Sequence, residues 1–246
     1  MSLTTANIAE IVKKQYFFKL RANIDAFSSL VGIQLLAVLF SLGGVGSSGS
    51  GGNGVSIIAK YYSADIVIVF TMIWSLVTAI TITTKPYRYH DFTFVTNRMT
   101  SSFSNILFLL TASILGAVTA ILSRYLILFI GSTFFHFELY GLAFQGKALI
   151  ISLFASTLYI LFIGSIGYFV GTLAQVNKAI VIFIPGLVIG SLFIDGLMGN
   201  DPIIMRIFQF YLLESSIFIF LIKIIISTAL FFITSMAILN EMEVKK

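Results

Sequence analysis

Charged residues lie inside or at the ends of several long apolar stretches of this chain. Lys223 lies within the last of these stretches, 215–239, and Glu214 directly precedes it. Two more acidic residues, Asp195 and Asp65, lie near the ends of other stretches. A charge surrounded by apolar residues is costly unless it pairs, reaches polar surroundings or serves a function. We therefore predict that Lys223 pairs with one of these three carboxylates. A functional pair, a structural pair and a lysine that extends to the surface all remain open.

A second group of candidate residues lies in the polar segment 84–102. Pro86 prevents simple continuation of the preceding apolar stretch, and Thr100 or Ser101 can cap the next helix, so a short helix or turn is predicted over 87–98. Aromatic residues mixed with charges are typical of protein-docking surfaces and also of the aromatic belt at a membrane surface. The candidate docking residues are Tyr87, Arg88, Asp91, Phe92, Phe94 and Arg98.

No catalytic or metal-binding pattern stands out in the sequence. Cysteine is absent, which excludes thiol catalysis, thiolate metal ligands and disulfides. The two histidines, His90 and His136, are far apart in sequence, and HExxH, GxSxG and GxxxxGK[ST] motifs are missing. We therefore predict no catalytic residue, no metal ligand and no cofactor bound by this chain.

The overall composition is that of a membrane protein. Of the 246 residues, 58% are hydrophobic and 10% are charged, and the mean hydropathy is +1.03. A soluble domain has about 25% charged residues, so this chain is too poor in charge to cover a soluble surface. The composition excludes a soluble enzyme, a nucleic-acid-binding protein and a secreted disulfide scaffold.

The apolar stretches predict an all-α integral membrane protein with six transmembrane helices. A spanning helix needs about 20 residues, so six of them leave short loops and no room for a nucleotide-hydrolysing domain. Residues 1–23 are predicted to form an amphipathic helix on the membrane surface, 43–54 a disordered external loop, and 124–147 and 199–214 external segments. The predicted spans are 24–42, 62–83, 103–123, 148–171, 179–198 and 215–239, before a polar tail at 240–246.

Lysine and arginine positions predict the orientation. Ten of these residues fall on the side of the N-terminus and three on the other, and the positive side of a membrane protein is cytoplasmic. Both termini and the segment 84–102 are therefore predicted to be cytoplasmic. With this orientation, His90 and His136 lie on opposite sides of the membrane.

Two parts of the sequence resemble the permease subunits of type-2 ATP-binding-cassette (ABC) exporters. One is FTFVTNRMTSSFSNILFLL (92–110), which leads from the polar segment into the third predicted span. The other is GSIGYFVGTLAQVNKAIVIFIPGLVIG (164–190), a glycine-bearing span, short turn and apolar return. The N-terminal helix, six spans and polar inner segment also match this layout, so the resemblance covers nearly the whole chain. Small family members include exporters of peptide toxins such as phenol-soluble modulins and lantibiotic-immunity permeases.

The resemblance implies a complex rather than a lone protein. Two permease subunits, identical or different, would work with two separate ATPase subunits that bind ATP and magnesium. The segment 84–102 would be the coupling loop seated on the ATPase, with Glu10, Lys13 and Lys14 near the same partner. Lys223, Asp195, Asp65 and Glu214 would line the translocation path or a gate. The expected location is the bacterial plasma membrane.

Other interpretations remain open at this level. The 25 phenylalanines could line an apolar cleft for an amphipathic peptide or hydrophobic cargo, or could face lipid and pack helices. An ion- or proton-coupled carrier is the main functional alternative, although such carriers usually contain an internal repeat and paired broken spans. Pro185-Gly186 interrupts the fifth predicted span, and no matching break is present in the other half.

Overall fold

The computed structural model of the chain describes residues 8–44, 46–52, 55–84, 87, 97–135, 146–177, 179–198, 202–214 and 216–241. These residues are overwhelmingly helical, which confirms the predicted α class in its coarse form. The helices are α1 (Ile8–Ala22), α2 (Ile24–Ser41), α3 (Asp65–Thr83), α4 (Arg98–Phe134), α5 (Gly146–Val176), α6 (Ile180–Met198), α7 (Ile203–Leu212) and α8 (Ile217–Glu241). Between α2 and α3 lie two strands, β1 (Gly46–Gly52) and β2 (Val55–Tyr61).

Five helices within the described ranges are long and apolar enough to cross a membrane: α2, α3, α4, α5 and α8. The chain is therefore a multi-pass membrane protein. Helix α6 has 19 residues and occupies the place of the fifth predicted span. The count of six spans and the cytoplasmic location of both termini stay predictions.

The glycine- and serine-rich stretch after α2 differs from expectation. We predicted a disordered loop over 43–54, but β1 pairs with β2 in an antiparallel hairpin, from Gly46 opposite Tyr61 to Gly52 opposite Val55. The glycine- and serine-rich composition of β1 predicted disorder, but whether a strand forms also depends on its partner. The partner strand β2 carries the β-branched and aromatic residues that favour strands.

The third predicted span also ends later than expected. We placed its end at residue 123 and an interfacial stretch after it, whereas α4 continues to Phe134 and has 37 residues. The residues 124–134 are rich in leucine, isoleucine and phenylalanine, and no proline or glycine interrupts them before Gly131. Hydropathy locates the apolar part of a helix, but helix propensity can carry the helix beyond it.

Helix α1 buries the face that its helical spacing predicts. Ile8, Ile11, Val12 and Tyr16 recur at helical spacing and mark one face, and Ile11, Val12 and Tyr16 are partly buried. The fully buried positions on that same face are polar: Gln15, Lys19 and Asn23, spaced four residues apart. The basic residues Lys13, Lys14 and Arg21 lie on the exposed side.

The structure divides into two compact units, each containing parts of several helices. The first unit, 16–75 and 107–163, contains two apolar clusters, one around Val67 and Ala120 and one around Leu30 and Trp74. Between them, the buried amide of Gln34 donates to Thr71 Oγ1 at 3.0 Å and to the Gly116 carbonyl at 3.1 Å. One polar side chain thus joins α2, α3 and α4 within this unit.

The second unit, 1–15, 76–106 and 164–246, contains a close crossing of α3 and α5. Gly167 and Gly171 of α5 are four residues apart and form a GxxxG motif, which lets two membrane helices approach closely. A Cβ at Gly167 would lie 2.5 Å from the Leu76 carbonyl oxygen and 3.1 Å from Ala79 Cβ. A Cβ at Gly171 would collide with the Thr83 side chain.

This crossing predicts that Gly167→Ala destabilises the protein, although alanine favours helices. The new methyl group meets a backbone oxygen, which cannot rotate away, so the two helices must separate. We expect the free energy of unfolding to fall by about 1–3 kcal/mol, the usual cost of overpacking. The measurement is reversible unfolding in mixed detergent micelles, followed by circular dichroism.

Gly32→Ala on α2 is the matched control, because a Cβ at Gly32 meets no atom within 4 Å. Alanine should be neutral there or stabilise by up to about 1 kcal/mol. Equal stability of the two alanine variants would contradict the close α3–α5 crossing.

Candidate functional site

The polar segment between α3 and α4 is the main candidate site, and the structure describes its two ends. Tyr87 is exposed at 38% of its surface, in keeping with a role in contacting another molecule. Arg88, Asp91, Phe92 and Phe94 of the predicted docking set lie outside the described residues, as do His90 and His136.

The first end of the segment is held by α5. The last four carbonyl groups of a helix have no partner within the helix and need one from elsewhere. The Thr83 carbonyl, at the last residue of α3, accepts a hydrogen bond from the side-chain amide of Gln175 near the end of α5. Thr83 is itself buried, so the chain enters the polar segment from a fixed position.

The other end of the segment is held by α8. Arg98, the first residue of α4, donates from Nη1 to the Leu239 carbonyl at 2.7 Å and to the Asn240 carbonyl at 3.5 Å. A guanidinium at a helix C-terminus satisfies unpaired carbonyls and favours the negative end of the helix dipole. The docking role that we predicted for Arg98 stays a prediction, and this contact gives its side chain a further role in positioning α8.

A layer of polar and aromatic contacts follows about two turns further along α4. The Asn105 side-chain amide donates to the Tyr168 hydroxyl at 3.4 Å. Tyr168 is fully buried on α5, and its ring packs edge-on against Phe232 of α8, with 5.8 Å between ring centroids. Asn105, Tyr168 and Phe232 thereby connect α4, α5 and α8 within the second unit.

These contacts give the polar segment a mechanical property. Both of its ends are tied by side-chain hydrogen bonds to helices distant in sequence, α5 at Thr83 and α8 at Arg98. A displacement of the segment would therefore act on the ends of α3, α4, α5 and α8 together. This arrangement can transmit movement between helices. Its described part has no feature that indicates catalysis.

Helix α1 adds an exposed charged surface. Glu10 and Lys14 form an ion pair with 2.8 Å between Oε1 and Nζ, and both side chains are exposed. The hydrogen bond and charge of Lys14 lower the pKa of the Glu10 carboxyl. Lys13 is exposed beside this pair, so the three predicted α1 contact residues lie on the surface.

Lys223 forms a second candidate site between α7 and α8. Its ammonium group pairs with the Glu214 carboxylate, which confirms one of the three predicted partners. The Nζ atom also donates to the Phe210 carbonyl at 3.3 Å and lies 4.0 Å from the centroid of the Phe210 ring. A hydrogen bond of 2.9 Å between Tyr211 and Ser227 joins the same two helices.

The other two acidic candidates have local partners. The Asp195 carboxylate accepts a hydrogen bond of 2.9 Å from the Ile203 backbone N–H, at the first residue of α7. The Asp65 carboxylate accepts one of 2.6 Å from the Ser63 hydroxyl, next to the start of α3. A carboxylate at a helix N-terminus is stabilised by the unpaired N–H groups and the helix dipole. Each contact fits a helix-start role.

No group of three potential metal ligands occurs among the residues that the structure describes. No protein-family model, curated protein or solved structure matches the chain.

Sequence reasoning missed several of the residues that organise the site. Gln175 and Asn105 are amides close to apolar spans, and such residues are rare enough there to indicate interhelical hydrogen bonds. The GxxxG motif at Gly167 and Gly171 was equally visible as a packing signal. Only their partners, Thr83, Tyr168 and Leu76, required the structure.

The Lys223 cluster predicts a measurable energetic coupling between two side chains. Lys223→Met leaves the Glu214 carboxylate half-buried and without its cation, so we expect a loss of about 1–3 kcal/mol in the free energy of unfolding. Glu214→Gln in the same chain should recover part of that loss. A double-mutant cycle in detergent measures this coupling.

Arg206→Met is the control, because Arg206 is an exposed cation on the adjacent helix α7. Its removal should change stability by less than about 0.5 kcal/mol. Additive effects of Lys223→Met and Glu214→Gln would mean that the ion pair contributes nothing to the fold.

Proposed function

We propose that the chain is the transmembrane permease subunit of an ATP-driven ABC exporter. Two such subunits would work with two copies of a separate cytoplasmic ATPase, in a bacterial plasma membrane. The cargo is an amphipathic peptide or a hydrophobic small molecule. The chain itself carries no ATPase site, and ATP and magnesium bind to the partner.

One observation carries the proposal: the polar segment resembles a coupling loop, and both of its ends are tied to distant helices. Gln175 binds the Thr83 carbonyl at one end, and Arg98 binds the Leu239 carbonyl at the other. Helix ends need hydrogen-bond donors in any fold, but here the donors come from helices distant in sequence. A loop that receives force from an ATPase uses such contacts, because otherwise its movement would be absorbed locally.

The proposed mechanism is alternating access, in which two conformations of the spans are biased by the partner. ATP binding closes the ATPase pair and displaces the segment through Tyr87 and the neighbouring polar residues. Arg98 and Gln175 pass that displacement to α8 and α5. Glu10, Lys13 and Lys14 on α1 offer a second exposed contact for the same partner.

The alternative is an ion- or proton-coupled secondary transporter, and the Lys223–Glu214 pair is the observation that favours it. Ionisable pairs near membrane-spanning helices are common in carriers, where one partner exchanges a proton or ion. In that case Lys223, Glu214 and a further acidic residue such as Asp195 would carry the coupling, and no ATPase would be required.

Purification from the native membrane in mild detergent separates the two proposals. The exporter requires a stoichiometric ATPase subunit, identified by mass spectrometry, and vanadate-sensitive ATP hydrolysis by the complex. Recovery of the permease alone, together with transport driven by a proton gradient in vesicles without ATP, would overturn the exporter in favour of the carrier.

Two variants should separate docking from transmission. Tyr87→Ala removes an exposed aromatic side chain and should weaken ATPase retention about tenfold, the loss expected from about 1.4 kcal/mol of binding energy. Arg98→Ala should leave ATPase retention within about twofold and lower transport at least about tenfold, because it releases α8 from the segment. Retention is measured by pull-down and transport in vesicles.

Arg206→Ala is the control for both measurements, because Arg206 lies on α7 and is predicted to be on the opposite membrane side from Tyr87. It should change neither. Normal transport by a stably folded Arg98→Ala variant would remove the α8 tie from the mechanism.

A further inference from the structure

The hairpin between α2 and α3 has an open strand edge that the proposed function does not use. In the described part of the chain, β1 and β2 form a two-stranded sheet, so each strand pairs on one side only. A strand with one unpaired side presents a row of backbone donors and acceptors, which is a template for another strand.

The two open edges are unequal. All residues of β1 are glycine or serine, which favour strands poorly, whereas β2 reads VSIIAKY. An isolated two-stranded hairpin is marginally stable in water, and strands rich in glycine weaken it further. A third strand that pairs with the open edge of β2 would stabilise the hairpin, and β2 is the strand whose residues favour such pairing.

We propose that β2 pairs antiparallel with β2 of a second copy of this chain, to give a four-stranded sheet with the order β1, β2, β2, β1. The pairing is centred on Ile58, the middle residue of Val55–Tyr61. It joins every residue of one β2 to a residue of the other, whereas a shift to a neighbouring centre leaves the strand ends unpaired. An interface of this kind has two-fold symmetry, the commonest symmetry of protein dimers.

The sequence of β2 is complementary to itself in this register. Positions that alternate along a strand belong to one face, and the sequence has apolar residues at alternate positions of β2: Val55, Ile57, Ala59 and Tyr61. Centring on Ile58 places Val55 opposite Tyr61 and Ile57 opposite Ala59, so these four positions belong to the same face in both copies. Lys60 lies opposite Ser56, which avoids the repulsion of two lysines across the pair.

The proposal deepens the proposed function and rests on it only for the assembly of two permeases. It selects the homodimer over a pair of different permeases. The dimer does not require an ATPase, so the two proposals can fail independently.

The absence of cysteine makes the test direct, because one introduced thiol can report one contact. Paired residues of antiparallel strands have Cα atoms about 4.5–5.5 Å apart, within the range that a disulfide bridges. In native membranes under mild oxidation, Ile58→Cys should form a disulfide-linked dimer. Ser48→Cys on β1 is the control, since three strand spacings of about 4.8 Å would separate the two copies.

A second pair of variants checks the register and does not depend on substituting Ile58. Ser56→Cys and Lys60→Cys should each cross-link poorly alone and should cross-link with each other when co-expressed. We expect Ile58→Cys, and the co-expressed pair, to give at least about tenfold more linked dimer than Ser48→Cys, corresponding to about 1.4 kcal/mol of preference.

Three outcomes would overturn the proposal. These are yields no higher than the control at all three β2 positions, dominant linkage through Ser48→Cys, and linkage of Ile58→Cys to a different protein instead of a second copy. Mass spectrometry of the linked band separates the last outcome from a homodimer. An ATPase recovered without any β2 cross-link, or the reverse, shows which of the two proposals has failed.

Discussion

The structure depends on one constraint: a hydrocarbon environment offers no partner to a polar group, so the protein must supply one. Gln34 illustrates the result. Its buried amide donates to the Thr71 hydroxyl and the Gly116 carbonyl, which joins three helices around it. Hydroxyl groups meet the same constraint more locally, as where Thr71 donates to the Val67 carbonyl one turn earlier.

The same constraint explains why the ends of the polar segment are ordered. Helix C-termini expose carbonyl groups that need donors, and the donors come from other helices: the Gln175 amide at Thr83 and the Arg98 guanidinium at Leu239. The same two hydrogen bonds therefore give the helix-end carbonyl groups a partner and connect helices that are distant in sequence. The close crossing at Gly167 and Gly171 keeps α3 and α5 near enough for the Gln175 contact to form.

Hydropathy predicted much of the helical layout but little of the site. Each predicted span coincides with a helix of the structure, because the length and apolarity of a stretch can be read from the sequence alone. The partner of Lys223 was predicted as one of three acidic residues, and only coordinates could select Glu214. Arg98 was predicted to dock a partner, which stays a prediction, and only coordinates could reveal its hydrogen bond to the Leu239 carbonyl. The hairpin was missed because a strand of glycine and serine takes its conformation from the strand beside it.

The reach of the two sets of contacts bears on the choice between the two proposed functions. Lys223 and Glu214 are nine residues apart, with Glu214 in the connection between α7 and α8, so separating them changes mainly the local arrangement of these two helices. Arg98 and Leu239 are 141 residues apart, and Gln175 and Thr83 are 92 apart. A change at the polar segment is thus distributed over much of the second unit, whereas a change at Lys223 stays near it. Force applied by a partner at the segment has the longer reach, and this favours the exporter over a carrier driven from Lys223.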